Sequence, residues 1–329
     1  MITIYPKFDA YYYSYYLYGL TKKYKNIEFS KLGFRKFHHH CLAFILHDEK
    51  KDYKIYISAG DGPGFNQAGL EWSDIYAKVN IKKDTIPKEY FEKVIPIGPS
   101  FAVKIYDLNN SIKIGLRNLI KDLHTTNYRQ HLSNYYRQYR YRSPIKLYEP
   151  QVEDINYIFY CATLWRKEEK TNYFRYNFMK AAKSLPNLHF EGGFAPGKED
   201  INQYNDYPIL ERKFDHEMYL EKTKKSLVAF NTPAVQGCLG WKLGEFLALG
   251  KTIISTPIDN ILPSPLIHGK HLHIVDGSVA SIRNSINLIR SDKKYRKMLS
   301  TNARKYFLKY LEPKIVLQRI LLNAKEHDT

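Results

Sequence analysis

The chain is poor in cysteine, poor in acid relative to base, and without any long apolar run. Its three cysteines, Cys41, Cys161 and Cys238, lie far apart and never in C-x-x-C spacing. An odd, scattered set makes neither a zinc site nor a disulfide framework and suits a reducing compartment. No apolar run approaches the roughly 18 residues that a membrane span needs. The opening Met1-Ile-Thr-Ile-Tyr-Pro6 has no charged stretch followed by an apolar one, so the expectation is a cytoplasmic protein without a secretory signal. H-E-x-x-H is absent, and the consecutive His38-His39-His40 cannot converge on one ion from a strand or helix, so no metal site is expected. A P-loop is also excluded. Gly250-Lys251-Thr252 has Glu245 where the first glycine should stand, and a strand-like Ile-Ile-Ser follows instead of a helix. Gly250 reads better as the residue just past a helix end.

The shortage of acid, 33 Asp+Glu against 51 Lys+Arg, gives a net charge of +18. Such a surface can meet nucleic acid, anionic lipid or a polyanionic small molecule. An AT-rich coding bias would also inflate lysine and the 29 tyrosines, so charge alone does not choose among them.

What is present is a repeated strand–helix rhythm. The 329 residues suggest two domains. In the first half, Ile2–Tyr5, Lys54–Ser58, Ile75–Val79 and Val94–Ile97 read as strands, and 11–24, 112–123 and Tyr128–Arg142 as helices. Ser143-Pro144 and Glu149-Pro150 bracket a boundary. The second half alternates more clearly. Ile155–Ala162, Leu188–Glu191, Ser226–Asn231, Thr252–Ser255 and His271–Val275 are strands between helices, and Ser278 caps a helix. The expected fold is α/β, with two Rossmann-like domains facing across a cleft. Residues 1–149 form the first and 150–310 the second, with a C-terminal helix over 311–329 that packs back on the first. Ligands then belong at the C-terminal ends of strands.

The richest such end is Asn231-Thr-Pro-Ala-Val-Gln-Gly-Cys-Leu-Gly-Trp-Lys-Leu-Gly-Glu-Phe-Leu-Ala-Leu-Gly250. A strand end, a glycine-broken loop and a helix start place backbone N–H groups beside Thr232, Gly240, Gly244, Lys242 and Glu245. A helix start of this kind holds phosphate, and a nearby carboxylate can hold a ribose diol. Glu245 is expected in the first helical turn, where it would also favour the macrodipole. After the Ile155–Ala162 strand come Arg166, Lys167, Lys170 and Arg175, cations suited to a leaving diphosphate or to a solvated charged turn. Asp9 and Asp61 follow earlier strands. Each is a candidate base for an acceptor hydroxyl, and each could equally be a solvated loop carboxylate. Gly60-Asp61-Gly62-Pro63-Gly64 reads as a tight turn.

Residues 240–257 and Pro263-Ser-Pro-Leu-Ile-His-Gly-Lys270 resemble the nucleotide-binding segment of bacterial GT-B glycosyltransferases, in particular the group 1 family and its capsule and surface-polysaccharide relatives. The resemblance implies a GT-B-like fold and transfer of a sugar from a nucleotide-sugar donor to a saccharide or lipid-linked acceptor. It implies that Glu245 holds the donor ribose and that Arg166 and Lys170 hold the diphosphate, with Lys167 and Arg175 as rivals. Many members carry a second glutamate eight positions earlier, where this chain has Gly237. D-x-D, which holds a divalent cation on the donor in the GT-A architecture, is missing, so catalysis without a bound metal and without a cofactor is expected. Tyr128–Arg142 could rest on an anionic membrane at its inner face, could meet nucleic acid, or could be a solvated basic helix. A basic nucleic-acid-binding protein on the same scaffold is the competing reading, and it is not the favoured one.

Overall fold

The computed structural model describes residues 1–49, 51–122, 127–196, 209–211 and 214–326. The chain divides into two compact units. The first comprises Met1–Leu147, Asn260–Ser264 and Lys309–Thr329, and the second Tyr148–Asp259 and Pro265–Leu308. The first break falls between Leu147 and Tyr148, beside the expected boundary at 149/150. The class is α/β, as expected.

The first unit is built from β1 (Ile2–Ile4), α1 (Ser14–Lys23), β2 (Ile27–Phe29), β3 (Leu42–His47), β4 (Asp52–Ser58), α2 (Gln67–Trp72), β5 (Ile75–Lys78), β6 (Val94–Pro96), α3 (Leu108–Ile120) and α4 (Tyr128–Tyr141). Its six-stranded sheet has the order β2-β1-β3-β4-β5-β6. The sheet is mixed rather than wholly parallel, because β3 runs antiparallel to both β1 and β4. Only residues 48–51 separate β3 from β4, too few for the crossover a parallel pair requires. The sequence reading missed β3, whose Leu-Ala-Phe-Ile-Leu-His run is almost wholly buried and so lacks the period-2 signature of a half-exposed strand. The helix expected over 112–123 begins earlier, where Asp107 Oδ1 accepts the Asn110 N–H at 2.8 Å. Its expected last residue, 123, lies outside the described residues.

The second unit is made of β7 (Tyr157–Thr163), α5 (Glu169–Lys183), β8 (His189–Ala195), α6 (His216–Lys225), β9 (Ala229–Asn231), α7 (Trp241–Ala248), β10 (Ile253–Ser255), β11 (His273–Ile274), α8 (Val279–Ser291) and α9 (Lys293–Tyr306). β7 pairs with β8, and β10 with β9 and β11, all in parallel. The Leu227 N–H donates to Tyr157 O at 2.7 Å, and the Phe159 N–H to Ser226 Oγ at 3.0 Å, which ties the approach to β9 alongside β7. Along β7, Ile158, Tyr160 and Ala162 enter one core with Phe178, Phe194, Phe230 and Ile286, while Tyr157, Phe159 and Cys161 enter another with Phe214 and Tyr219. A strand buried on both faces reads as a continuous apolar run, which is why it was legible. The Ser281 N–H bonds the predicted cap Ser278 at 3.2 Å. Gly250, with φ +59, stands just past the Leu249 C-cap of α7. Lys251 turns its ammonium onto the carbonyls of Lys224 and Ser226, a structural role unlike that of a P-loop lysine.

The chain ends in α10 (Pro313–Glu326), which belongs to the first unit. There the Tyr15 hydroxyl donates to Leu311 O, and a Cβ added at Gly19 of α1 would meet Leu317 Cδ1 and Pro313 O at 2.7 Å.

Candidate functional site

From β7 the chain crosses outward through α5 to β8, then returns to β9 on the other side of β7. Strand order therefore reverses between β7 and β9, and in open α/β sheets the crevice outside the C-terminal strand ends at such a switch point is where ligands bind. α5 and α7 both start at this edge, so the positive ends of two helix dipoles meet there.

The segments that follow β7 and β9 at this edge are stitched to each other. The Gln236 N–H donates to Glu168 Oε1 at 2.7 Å, and Thr171 Oγ1 donates to Pro233 O at 3.0 Å. Asn172 holds the first loop in shape: its Nδ2 donates to Trp165 O at 2.7 Å and its Oδ1 accepts the Trp165 N–H at 3.0 Å. Gln236 and Gly237 take φ values of 56° and 71°, a left-handed pair that turns the second loop toward α7.

The cations sort by burial. Arg175 sits on the inward face of α5 and is only 8% exposed. One of its terminal nitrogens donates to Thr163 O, while Nε finds no acceptor among the described residues. Burial lowers its pKa, opposed by Tyr160, Cys238 and Glu168 nearby. A guanidinium cannot shed its proton in this range, so its charge stays, desolvated and with a donor unused. Arg166, Lys167 and Lys170 are exposed. Lys170 lies in the first turn of α5, where the macrodipole disfavours a cation, with Nζ 5.8 Å from the centre of the Phe174 ring.

Lys242 is fixed rather than mobile. Its ammonium donates to Cys161 O and sits 5.1 Å and 5.7 Å from the Tyr160 and Tyr219 ring centres. Burial pushes its pKa down to about 8; Cys161 and Glu245 oppose that shift, and the Arg175 cation adds to it. Arg175 and Lys242 thus feel one another at the same strand end, where Arg175 also hydrogen-bonds the Tyr160 side chain and the Glu168 and Glu245 carboxylates act on Arg175 and Lys242 respectively. A further anion would meet two desolvated like charges there.

Glu245 is 4% exposed and lies close enough to Lys242 and Tyr219 to influence both. It stands fifth in α7, past the first turn, because the helix starts at Trp241 with Gly240 as N-cap. The macrodipole explanation offered for this carboxylate therefore fails. Gly240 has an ordinary φ of −71°, and a Cβ there would meet only Ala234 Cβ at 3.7 Å, so neither strain nor packing demands glycine. Gly244 is buried inside α7. Thr232 is buried and accepts from Thr256 Oγ1 at 3.0 Å, which ties the end of β9 to that of β10.

The first-unit candidates have different surroundings. Asp9 Oδ1 accepts the N–H groups of Tyr11 and Tyr12 at 2.9 Å and 3.0 Å, the geometry of a turn-forming aspartate leading into α1. Asp61 is exposed in the glycine-rich loop after β4. That loop is anchored by Lys78, which the sequence reading did not single out: it is fully buried, and its Nζ donates to Gly62 O at 3.0 Å. The His39 and His40 rings lie 3.9 Å apart, and no group of three metal-ligating side chains occurs among the described residues. Nor is any helix among them long and apolar enough to cross a membrane.

No family model matches the chain, and no curated protein does. Among solved structures it is similar to the C-terminal domain of a group 1 family glycosyl transferase, LpcC, from Francisella tularensis. Identity there is 14%, covering 50% of this chain and 96% of that one, with a TM-score of 0.36. It is also similar to HepE from Anabaena in complex with UDP and glucose, at 12% identity over 82% of this chain and 71% of that one, with a TM-score of 0.47. A third is sucrose-phosphate synthase from Thermosynechococcus elongatus, at 13% identity, 83% and 68% coverage and a TM-score of 0.47. Likenesses this distant leave the chemistry to be read from the residues above.

Proposed function

We propose that this chain is a glycosyltransferase that moves a sugar from a nucleotide-sugar donor to a saccharide or lipid-linked acceptor, in the assembly of a bacterial surface polysaccharide. The observation that carries the reading is Arg175, buried at the β7/β9 switch point with an unused donor and Lys242 beside it. A nucleoside diphosphate leaving group gains negative charge as the glycosidic bond breaks. Fixed cations and helix N-termini that need no reorganisation stabilise that charge. In this reading Arg175 and the start of α7 hold the diphosphate, Lys242 sets the local field, and exposed Arg166 and Lys170 guide the donor in. Glu245 accepts both hydroxyls of the ribose. Gly237 leaves the sugar side without the second glutamate of the resembling family, and acceptor deprotonation falls to Asp61 or Asp9. The protein's own cations do the work a metal does elsewhere.

A thermal-shift panel of UDP-, GDP-, CMP- and dTDP-sugars tests this. One donor at a hundred times its Kd should stabilise the protein by about 2.7 kcal/mol. Glu245→Ala should weaken that donor by roughly 30- to 100-fold, the worth of hydrogen bonds to a charged acceptor. A panel in which no nucleotide shifts the melting curve would remove the reading.

Lys242 makes binding sensitive to pH. With its pKa near 8 in the free protein, a bound anion would restore the ammonium. Donor affinity should therefore be highest below pH 8 and fall as pH rises beyond it. Calorimetry at pH 8 in two buffers of different ionisation enthalpy should register uptake of about half a proton. A binding enthalpy independent of the buffer would show that Lys242 does not sense the ligand.

A further inference from the structure

The α3–α4 pair of the first unit is polar inside and apolar outside. Ser111 meets Gln138, and Asn118 meets Tyr135, so the helices run antiparallel. Gln138 Nε2 donates to Ser111 Oγ at 2.7 Å, its Oε1 accepts the Ile105 N–H at 2.8 Å, and Asn118 Nδ2 donates to the Tyr135 hydroxyl at 3.0 Å. His131 Nε2 lies 3.1 Å from Gly115 O. The hydrophobic residues that a water-facing hairpin would bury lie on the other face. Leu108, Ile112, Leu116 and Ile120 recur at every fourth position of α3, and the last three are 51%, 45% and 65% exposed. Leu108, Ile112 and Leu116, with Leu132 and Tyr136 of α4, line a groove of about 460 Å³.

Charge accompanies this face. Neither Leu108–Ile120 nor Tyr128–Tyr141 contains an acid, while they carry Lys113, Arg117, Arg129, Arg137 and Arg140. Arg129 lines the groove and Lys113 and Arg140 are exposed, whereas Arg117 reaches Ile27 O and Arg137 lies over the Tyr11 ring. Exposed Tyr128 and Tyr141 flank the patch. We infer that this face docks on an anionic lipid bilayer, its aliphatic stripe entering the headgroup–acyl boundary and its cations meeting lipid phosphates. Amphipathic surfaces with basic flanks and interfacial tyrosines bind bilayers in this way. Nucleic acid would match the cations but leave Ile112, Leu116 and Ile120 in water. A second copy would set arginines against arginines across an isologous contact. The inference stands apart from the transferase reading, since neither donor nor acceptor enters it.

The test is vesicle flotation with the full chain, on phosphatidylcholine alone and mixed with phosphatidylglycerol. Binding is expected to the mixed vesicles and to weaken with salt. Ile112→Asp with Leu116→Asp should reduce partition at least tenfold. Arg129→Gln with Arg140→Gln should reduce it roughly 25-fold, at about fivefold per cation. Leu288→Asp with Met298→Asp, the same change on exposed apolar positions of the second unit, should leave binding intact. Circular dichroism checks that each variant folds. Wild-type protein that stays off the mixed vesicles, or a groove variant that floats like wild type, overturns the inference. So does a groove variant whose only change is loss of a dimer in gel filtration.

Discussion

Arg175→Met should weaken nucleotide-sugar binding by about two orders of magnitude, with hydrogen bonds to charged groups each contributing about 1.5–3 kcal/mol, while the protein stays folded. The two halves of that expectation have one cause. In the free protein the guanidinium is desolvated and Nε has no acceptor among the described residues, although Thr163 O and the Tyr160 side chain accept from its other nitrogens and Glu168 lies near enough to act on it. An apolar side chain of similar length relieves that cost, and replacing buried charge by well-packed apolar groups is often neutral or stabilising. The thermal midpoint without ligand should therefore stay near that of wild type or rise, although Thr163 O loses a donor. Arg175→Lys should fall between, since it keeps the charge and loses the planar fork. Isothermal titration and melting curves on the three proteins decide the matter. Undiminished affinity in Arg175→Met would move the anion site elsewhere. A collapsed fold in that variant would make Arg175 a structural residue.

The largest loss of stability is expected from Gly192→Ala. Gly192 lies inside β8, paired with Tyr160 of β7, and takes a φ of +124° that side chains rarely adopt. A Cβ there would lie 2.7 Å from the Tyr160 carbonyl carbon, and nearer still to its oxygen. Both are backbone atoms of a buried strand and cannot rotate away, so β7 and β8 must separate. The expected cost is about 3–4 kcal/mol, in the range of strain plus lost packing. That corresponds to a fall in melting temperature of roughly 2–4 °C per kcal/mol for a unit of this size. Gly64→Ala is the matched control, because a Cβ at Gly64 meets nothing within 4 Å. Calorimetric melts in which both variants behave alike would refute the close approach of the two strands. Tyr160 also neighbours Arg175 and Lys242, so Gly192→Ala should disturb donor binding as well.

The second unit was more legible in the sequence than the first, for physical reasons. Its strands β7, β9 and β10 are buried and stand out as apolar runs between helices with recognisable ends, Ser278 at one and Gly250 at another. The first unit contains an antiparallel β3, a three-residue β2 and a six-residue α2, none long enough or periodic enough to declare itself. The course of the Asn231–Gly250 segment, from the C-terminal end of β9 into the start of α7, was readable from strand, glycine and helix order. The choice among cations was not. Arg166, Lys170 and Arg175 are close in sequence and equal in charge, and what separates them is their place on the fold. Arg166 precedes α5, Lys170 stands exposed in its first turn, and Arg175 falls on the face of Thr171 and Phe178 that turns inward. Glu168 and Asn172 fall within the stretch the sequence singles out after β7, but their hydrogen bonds to backbone, which join and shape the two loops, are set by the fold and were not legible.

The last helix, α10, packs on α1, and residues 260–264 also belong to the first unit, so that unit is assembled from three separate stretches of chain. A ribosome releases them in order. The segment bearing α1 therefore emerges long before its covering helix exists, with the Tyr15 hydroxyl awaiting a carbonyl almost three hundred residues downstream. Folding during translation can complete the strands of the second unit first, while the first remains open and exposed to chaperones or proteases until α10 has been synthesised.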